Sequence, residues 1–110
     1  MRAMLVENVD LSSHPGLPGV AMSRLVRGTA AESVRVDLAV LEPGASFPRH
    51  PADSEQVFVV VSGEGRVAGD DDVEHPVRAG SLVRWSPGEQ HTSWADTQMT
   101  VVLVERRPAG

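Results

Sequence analysis

The 110-residue sequence contains no cysteine, no lysine, no tyrosine and no isoleucine, and three of these absences each remove a chemistry. Without cysteine there is no disulfide, no thiolate nucleophile and no zinc-cysteine cluster. Without lysine there is no Schiff base and no phosphate-binding P-loop, and without tyrosine no phenolic acid or base. Histidine, carboxylates and hydroxyls remain for catalysis. Long apolar runs are missing too. The longest, Val57 to Val61, is far short of the roughly 20 residues a membrane helix needs, and Met1-Arg-Ala-Met-Leu-Val6 reaches Glu7 before a secretory hydrophobic segment could form. Positive charge is scarce: all ten basic residues are arginine and the net charge is -5, so phosphates meet no basic stripe. These readings predict no nucleic-acid partner, no membrane partner and a soluble cytoplasmic protein, the lack of disulfides agreeing with a reducing compartment. Residues 1–110 read as one domain, long enough to bury somewhat over about 60% of the unfolded surface.

What the sequence does have is valine, 18 times, in segments that alternate with period two. These are Ala3 to Asn8, Val20 to Arg27, Ser33 to Leu41, Gln56 to Ser62, Gly65 to Ala68, Glu74 to Arg78, Ser81 to Trp85, His91 to Trp94 and Thr100 to Arg106, and they read as strands. Turn formers separate them: His14-Pro-Gly, Glu42-Pro-Gly44, Ser62-Gly-Glu-Gly65, Gly69-Asp-Asp-Asp72 and Ser86-Pro-Gly88. No segment of helical period exceeds two turns. The pattern predicts an all-β sandwich or barrel, architectures that dispose of exposed sheet edges. In Ser33 to Leu41, Val34, Val36, Leu38 and Val40 share one face and Arg35 and Asp37 the other, which predicts a wet side for that strand. Val57-Phe-Val-Val-Val61 is apolar on both faces and needs a second covering layer. A homodimer interface is the expected cover, with the segment Ala3 to Asn8 as the alternative.

Two Gly/His blocks flank that valine-rich strand. In the first, Gly44 is followed by His50, then Ala52, Gln56 and Gly63; in the second, Gly80 is followed by Ser86-Pro-Gly88 and His91. The spacings resemble the two motifs of the cupin family. The first of these reads Gly, five residues, His, one residue, His, three or four residues, Glu, six residues, Gly. The second reads Gly, five residues, Pro, one residue, Gly, two residues, His. Here Ala52 stands at the second histidine position, Gln56 at the glutamate position and Ser86 at the usual proline. The resemblance covers about half the chain and implies a double-stranded β-helix, or jelly-roll barrel, with a small-molecule pocket between its sheets.

The resemblance also implies a site where His50, Gln56 and His91 hold a divalent transition metal, one of Mn, Fe, Ni, Cu or Zn. A carboxamide oxygen binds a divalent ion more weakly than a carboxylate does, and Ala52 contributes nothing, so such an ion would have two imidazoles, one amide oxygen and no anionic protein ligand. An uncompensated charge polarises a carbonyl strongly and supports a higher oxidation state poorly, which ranks isomerase, lyase or cyclase chemistry on a small oxygenated metabolite above oxygen activation. Three readings stay open: a Lewis-acid enzyme, a metal-free small-molecule binding or sensing cupin, and a cupin dioxygenase. Glu55 is a reserve catalytic base, expected to face solvent. Trp85 and Trp94 are expected as core or interface anchors, Arg49 and Arg84 as surface residues, His14 and His75 as solvated, and Asp70 to Asp72 as a turn tip.

Overall fold

A computed structural model describes Met4, residues 7–26 and residues 33–107. The strands among these residues are β1 (Ser12–Ser13), β2 (Val20–Val26), β3 (Ser33–Leu41), β4 (Ser46–Pro51), β5 (Glu55–Ser62), β6 (Glu64–Ala68), β7 (His75–Arg78), β8 (Leu82–Trp85), β9 (Gln90–Ala95) and β10 (Met99–Arg107). They form two antiparallel sheets, one in the order β1-β2-β3-β10-β5-β8 and one in the order β4-β9-β6-β7. This is the jelly-roll the motif spacing implied. The described residues contain no helix that is long and apolar enough to cross a membrane.

The strands follow from the period-two valine pattern, but two expectations about them change. Strand β4, which carries His50, is too polar and too proline-rich to read as a strand by itself. Of the segment Ala3 to Asn8, Met4, Glu7 and Asn8 are exposed and extrastrand, and the remainder lies outside the described residues, as do Arg27 and the tail from Pro108.

Alternation decides the interior. On β5 Gln56, Phe58 and Val60 point inward, and on β10 Met99, Val101 and Leu103 do so. Phe58, Leu41, Met99, Val60 and Val101 are the largest fully buried side chains, each stabilising the fold by about 1.5–3 kcal/mol of transfer free energy. Strand β3 corrects the sequence reading. Asp37, Ala39 and Leu41 are the buried set, and Val34, Val36, Leu38 and Val40 form a half-buried outer face. The charged side expected to be wet thus faces the barrel interior. The reason is in the partner strands: β3 pairs β10 with Asp37 opposite Leu103 and Ala39 opposite Val101, and those partners belong to the core.

Registers across the larger sheet stack the inward residues in rows. Ala39, Val101 and Val60 form an apolar row, followed by Asp37, Leu103, Phe58 and Val83, and then by Arg35, Glu105, Gln56 and Trp85. The barrel therefore runs from an apolar end to a polar one. The tightest of the crossings between the sheets is at Gly63, the single residue between β5 and β6, where φ is +86°.

Candidate functional site

At the polar end lies a cavity of about 200 Å³, whose walls include His50, Gln56, Phe58, Trp85, His91 and Glu105. It is smaller than the roughly 300–1,000 Å³ typical of drug-sized ligands, so it suits a small molecule. The three residues singled out by the motif spacing all reach it, from β4, β5 and β9. His50 and His91 are register partners on antiparallel β4 and β9, which is why residues 41 positions apart in sequence face each other with ring centroids 4.1 Å apart. Ala52 lies just past β4, buried, with its backbone bonded to Glu89 and Gly88, and does not line the cavity.

Each histidine is held in the same way. Nδ1 of His50 lies 2.6 Å from the Pro48 carbonyl and Nδ1 of His91 lies 3.3 Å from the Glu89 carbonyl, in both cases two residues earlier. A carbonyl oxygen only accepts, so Nδ1 is the protonated nitrogen in each ring, and the neutral ring keeps its lone pair on Nε2. Metal-binding imidazoles are commonly oriented in this manner.

Burial makes two of the acceptors unusual. Gln56 Oε1 and His91 Nε2 have no hydrogen-bond partner. A buried acceptor left unsatisfied costs about 1–3 kcal/mol, so these lone pairs suit an incoming cation or a ligand's hydrogen-bond donor. Two imidazoles and an amide oxygen fit a divalent transition ion as a neutral and therefore weak ligand set. Among the described residues no group of three or more His, Asp or Glu side chains converges to hold an ion, in keeping with alanine and glutamine at two motif positions.

His91 is packed on both sides. Its ring stacks on Trp85 at 4.6 Å between centroids, and Trp85 meets Phe58 edge-on at 5.6 Å. Trp85, expected as a core anchor, is thus also a wall of the site, whereas Trp94 lies elsewhere under the Arg66 guanidinium at 5.1 Å. Burial lowers the His91 pKa from its usual value, and the nearby His50 adds to this; the Glu89 carbonyl opposes it. The folded protein therefore binds this proton less readily than the unfolded chain. Stability is fully present above about pH 6.5, the unfolded value, and is lost as pH falls from there toward the lowered folded value. Urea midpoints measured from pH 7.5 down to 5.5 are expected to fall, and His91→Phe, which keeps the stacking but cannot titrate, is expected to flatten part of that slope.

Other expected roles are reassigned by contacts. Glu55 faces outward from β5, as expected, paired with Arg84 at 3.5 Å and Arg106 at 3.6 Å, and is not among the residues lining the cavity. Arg49 is tied to Asp72 and to the carbonyls of Gly69 and Asp70, locking the turn tip that Asp70 to Asp72 were expected to form. His14, expected as a solvated loop residue, contributes to the cavity rim although exposed, and His75 lies outside the cavity.

The sequence reading missed three charged residues. Asp37 is buried at 7% exposure and paired with Arg24, and both line the cavity. Glu105 lines it too, accepting from Gln56 Nε2 at 3.3 Å and pairing through its other oxygen with Arg35. For Glu105 the signal was parity, since it shares a face with Val101 and Leu103 on β10; Asp37 shares a face with Ala39 and Leu41, but only pairing with β10 turns that face inward.

Comparison with known proteins agrees with this geometry. The Cupin domain family model matches residues 37–105. A search of curated proteins gave no significant match. Similar solved structures include an RmlC-like cupin from Shewanella frigidimarina, with 22% identity, a TM-score of 0.79 and coverage of 96% of this chain and 89% of that one. KdgF from Halomonas sp. is 17% identical with a TM-score of 0.74, covering 90% and 87% of the two chains. A predicted oxalate decarboxylase from Thermotoga maritima is 19% identical with a TM-score of 0.78, covering 94% and 100%. At these identities the structures share the fold with this chain, and their activities remain their own. Because the matched model spans well over half of the sequence and the same strands bring both motif blocks to one cavity, this chain belongs to the cupin family.

Proposed function

We propose that this cupin binds one divalent transition ion through His50, Gln56 and His91 and acts as a Lewis-acid enzyme, of isomerase, lyase or cyclase type, on a small oxygenated metabolite. The observation that carries the reading is the pair of buried, unpartnered acceptors, Gln56 Oε1 and His91 Nε2, on the cavity that His50 also lines. A bound divalent ion supplies polarisation of a substrate carbonyl or hydroxyl. The protein does the rest. Backbone carbonyls hold both imidazoles with Nε2 free, burial disfavours protonation of His91, and Trp85 and Phe58 form aromatic walls of the cavity. The neutral ligand set favours polarisation over support of a higher oxidation state, which places dioxygenation third; substrate-dependent oxygen consumption by the purified protein would reverse that order.

A metal-free binding or sensing role is the second reading, favoured by the absence of three converging ionisable ligands among the described residues. In that case the two acceptors take hydrogen bonds from a ligand's hydroxyl or ammonium groups. Elemental analysis of protein purified without an affinity tag separates the two. Near-stoichiometric Mn, Fe, Ni, Cu or Zn supports the enzyme, and metal-free protein stabilised by a small polyol or amine supports the binding module.

We also propose that the protein pairs with a second copy through the outer face of the larger sheet. Two adjoining rows there, Leu38-Val102-Val59 and Val36-Val104-Val57, are wholly apolar, and Val61 and Leu82 beside them are 54% and 50% exposed. Met4 is 87% exposed, so at that residue the N-terminal stretch is not packed as a cover. The face also carries both signs of charge at one end, Glu55 against Arg84 and Arg106, which suits a self-complementary two-fold contact. Sedimentation is expected to give a dimer for the native sequence and a monomer with intact fold for Val59→Asp combined with Val102→Asp. A native protein that sediments only as monomer overturns the pairing.

A further inference from the structure

We infer that Glu105 is the positioning residue of this site, a carboxylate supplied from β10 in place of the one the first motif lacks, and that with Arg35 it fixes the Gln56 carboxamide with its oxygen toward the cavity. Arg35, Glu105 and Gln56 are register partners on β3, β10 and β5, so their inward side chains lie side by side across three adjacent strands. A carboxamide has two faces that differ chemically: an NH2 that only donates and an oxygen that only accepts. An ionised carboxylate only accepts. Opposite Glu105 Oε1, at 3.3 Å, the Gln56 amide must therefore present its nitrogen, and the reversed amide would set two acceptors against each other. This is why Oε1 of Gln56 is left without a partner, buried beside the His50 and His91 rings. Arg35 takes the other carboxylate oxygen, which favours the rotamer that keeps Glu105 beside Gln56. A glutamine otherwise free to turn either face inward is thereby committed to acting as an acceptor.

The arrangement has a second consequence. The Glu105 carboxylate, one hydrogen bond removed from the ligand set and itself paired with Arg35, polarises the Gln56 amide so that its oxygen is the better partner for a cation. That part rests on the metal reading proposed above; the orientation of Gln56 does not.

The experiment uses two readouts on the full chain. Glu105→Gln preserves shape but offers Gln56 either an oxygen or an NH2, and Glu105→Leu removes the partner altogether. With Mn²⁺ as the probe, followed by the EPR signal of the free ion, Glu105→Gln is expected to weaken binding about tenfold and Glu105→Leu more, the range found for residues that orient metal ligands. In ¹⁵N-¹H spectra of metal-free protein, the Gln56 side-chain NH2 pair, assigned by its loss in Gln56→Met, is expected downfield and slow to exchange. In Glu105→Gln it is expected to move toward the positions of a solvated amide. A Gln56 NH2 pair unmoved by Glu105→Gln overturns the inference, as does Mn²⁺ affinity within twofold of the native value. Native protein that binds no Mn²⁺ counts against the metal reading alone, and the amide spectrum then decides the role of Glu105.

Discussion

Replacing His91 by phenylalanine is expected to abolish stoichiometric metal while leaving the barrel folded. His91 is 3% exposed and stacked on Trp85, so truncation to alanine would open a void and confuse loss of a ligand with loss of packing. Phenylalanine fills a similar volume, keeps an aromatic face for Trp85, and removes a buried nitrogen that has no partner. Its effect on stability is expected to be small, about 1 kcal/mol, because deleting the unsatisfied Nε2 offsets the lost Nδ1 hydrogen bond to the Glu89 carbonyl, which still accepts from the Ala52 amide. Its effect on affinity is expected to be large. In the proposed ligand set of two imidazoles and one amide oxygen, one lost contact removes about a third of the protein ligands. At a cost of about 3 kcal/mol, affinity falls by roughly a hundredfold. Elemental analysis and Mn²⁺ titration check this, alongside a thermal melt. Unchanged metal content in a well-folded His91→Phe protein would remove His91 from the ligand set and with it the Lewis-acid reading.

The second large effect is on folding. Gly63→Ala is expected to cost roughly 3 kcal/mol or more, lowering the melting temperature by roughly 15 °C at the few degrees per kcal/mol usual for domains of this size. Two terms add. A φ of +86° puts any residue with a Cβ in the left-handed region, at about 1–2 kcal/mol. In addition, a Cβ at Gly63 would lie 2.1 Å from the Gln98 carbonyl oxygen and 2.8 Å from the Met99 Cα, both backbone atoms that cannot move without disturbing β10. Gly80 provides the control: its φ is +94° but a Cβ there meets nothing within 4 Å, so Gly80→Ala carries only the conformational cost. Differential scanning calorimetry on the two variants separates strain from steric clash. Equal losses for both would mean that the close approach at Gly63 has no energetic weight. The physical origin of the requirement is topological, since the step from β5 in the six-stranded sheet to β6 in the four-stranded sheet is made in a single residue, Gly63.

Much of this was legible in the sequence, for reasons that differ by residue. The all-β class followed from valine alternation, because period-two burial is a local property of extended chain. Gln56 and His91 were legible for the same reason: each heads a strand whose inward positions are fixed by parity, and motif spacing puts both at one end of the barrel. Strand β4 was illegible, since Pro48 and Pro51 argue against a strand and its pairing with β9 supplies the order that its own residues do not. The inward face of β3 was misread because four branched apolar residues outvote Arg35 and Asp37 locally. Which face meets the core depends on β10, a strand some 60 residues away, and the apolar face is left to the outside of the sheet.

The sequence by itself determined the class of fold and the chemistries this protein cannot perform, because these depend on residue type and alternation, and its resemblance to the cupin motifs singled out the three side chains that share a cavity. Tertiary structure alone decided that Glu105 and Arg35 stand behind Gln56 and that Trp85 walls the site. Those facts depend on register between strands far apart in the chain. A shift of one residue in a strand's register would exchange its inward and outward side chains, and no local pattern encodes which register a distant partner will impose.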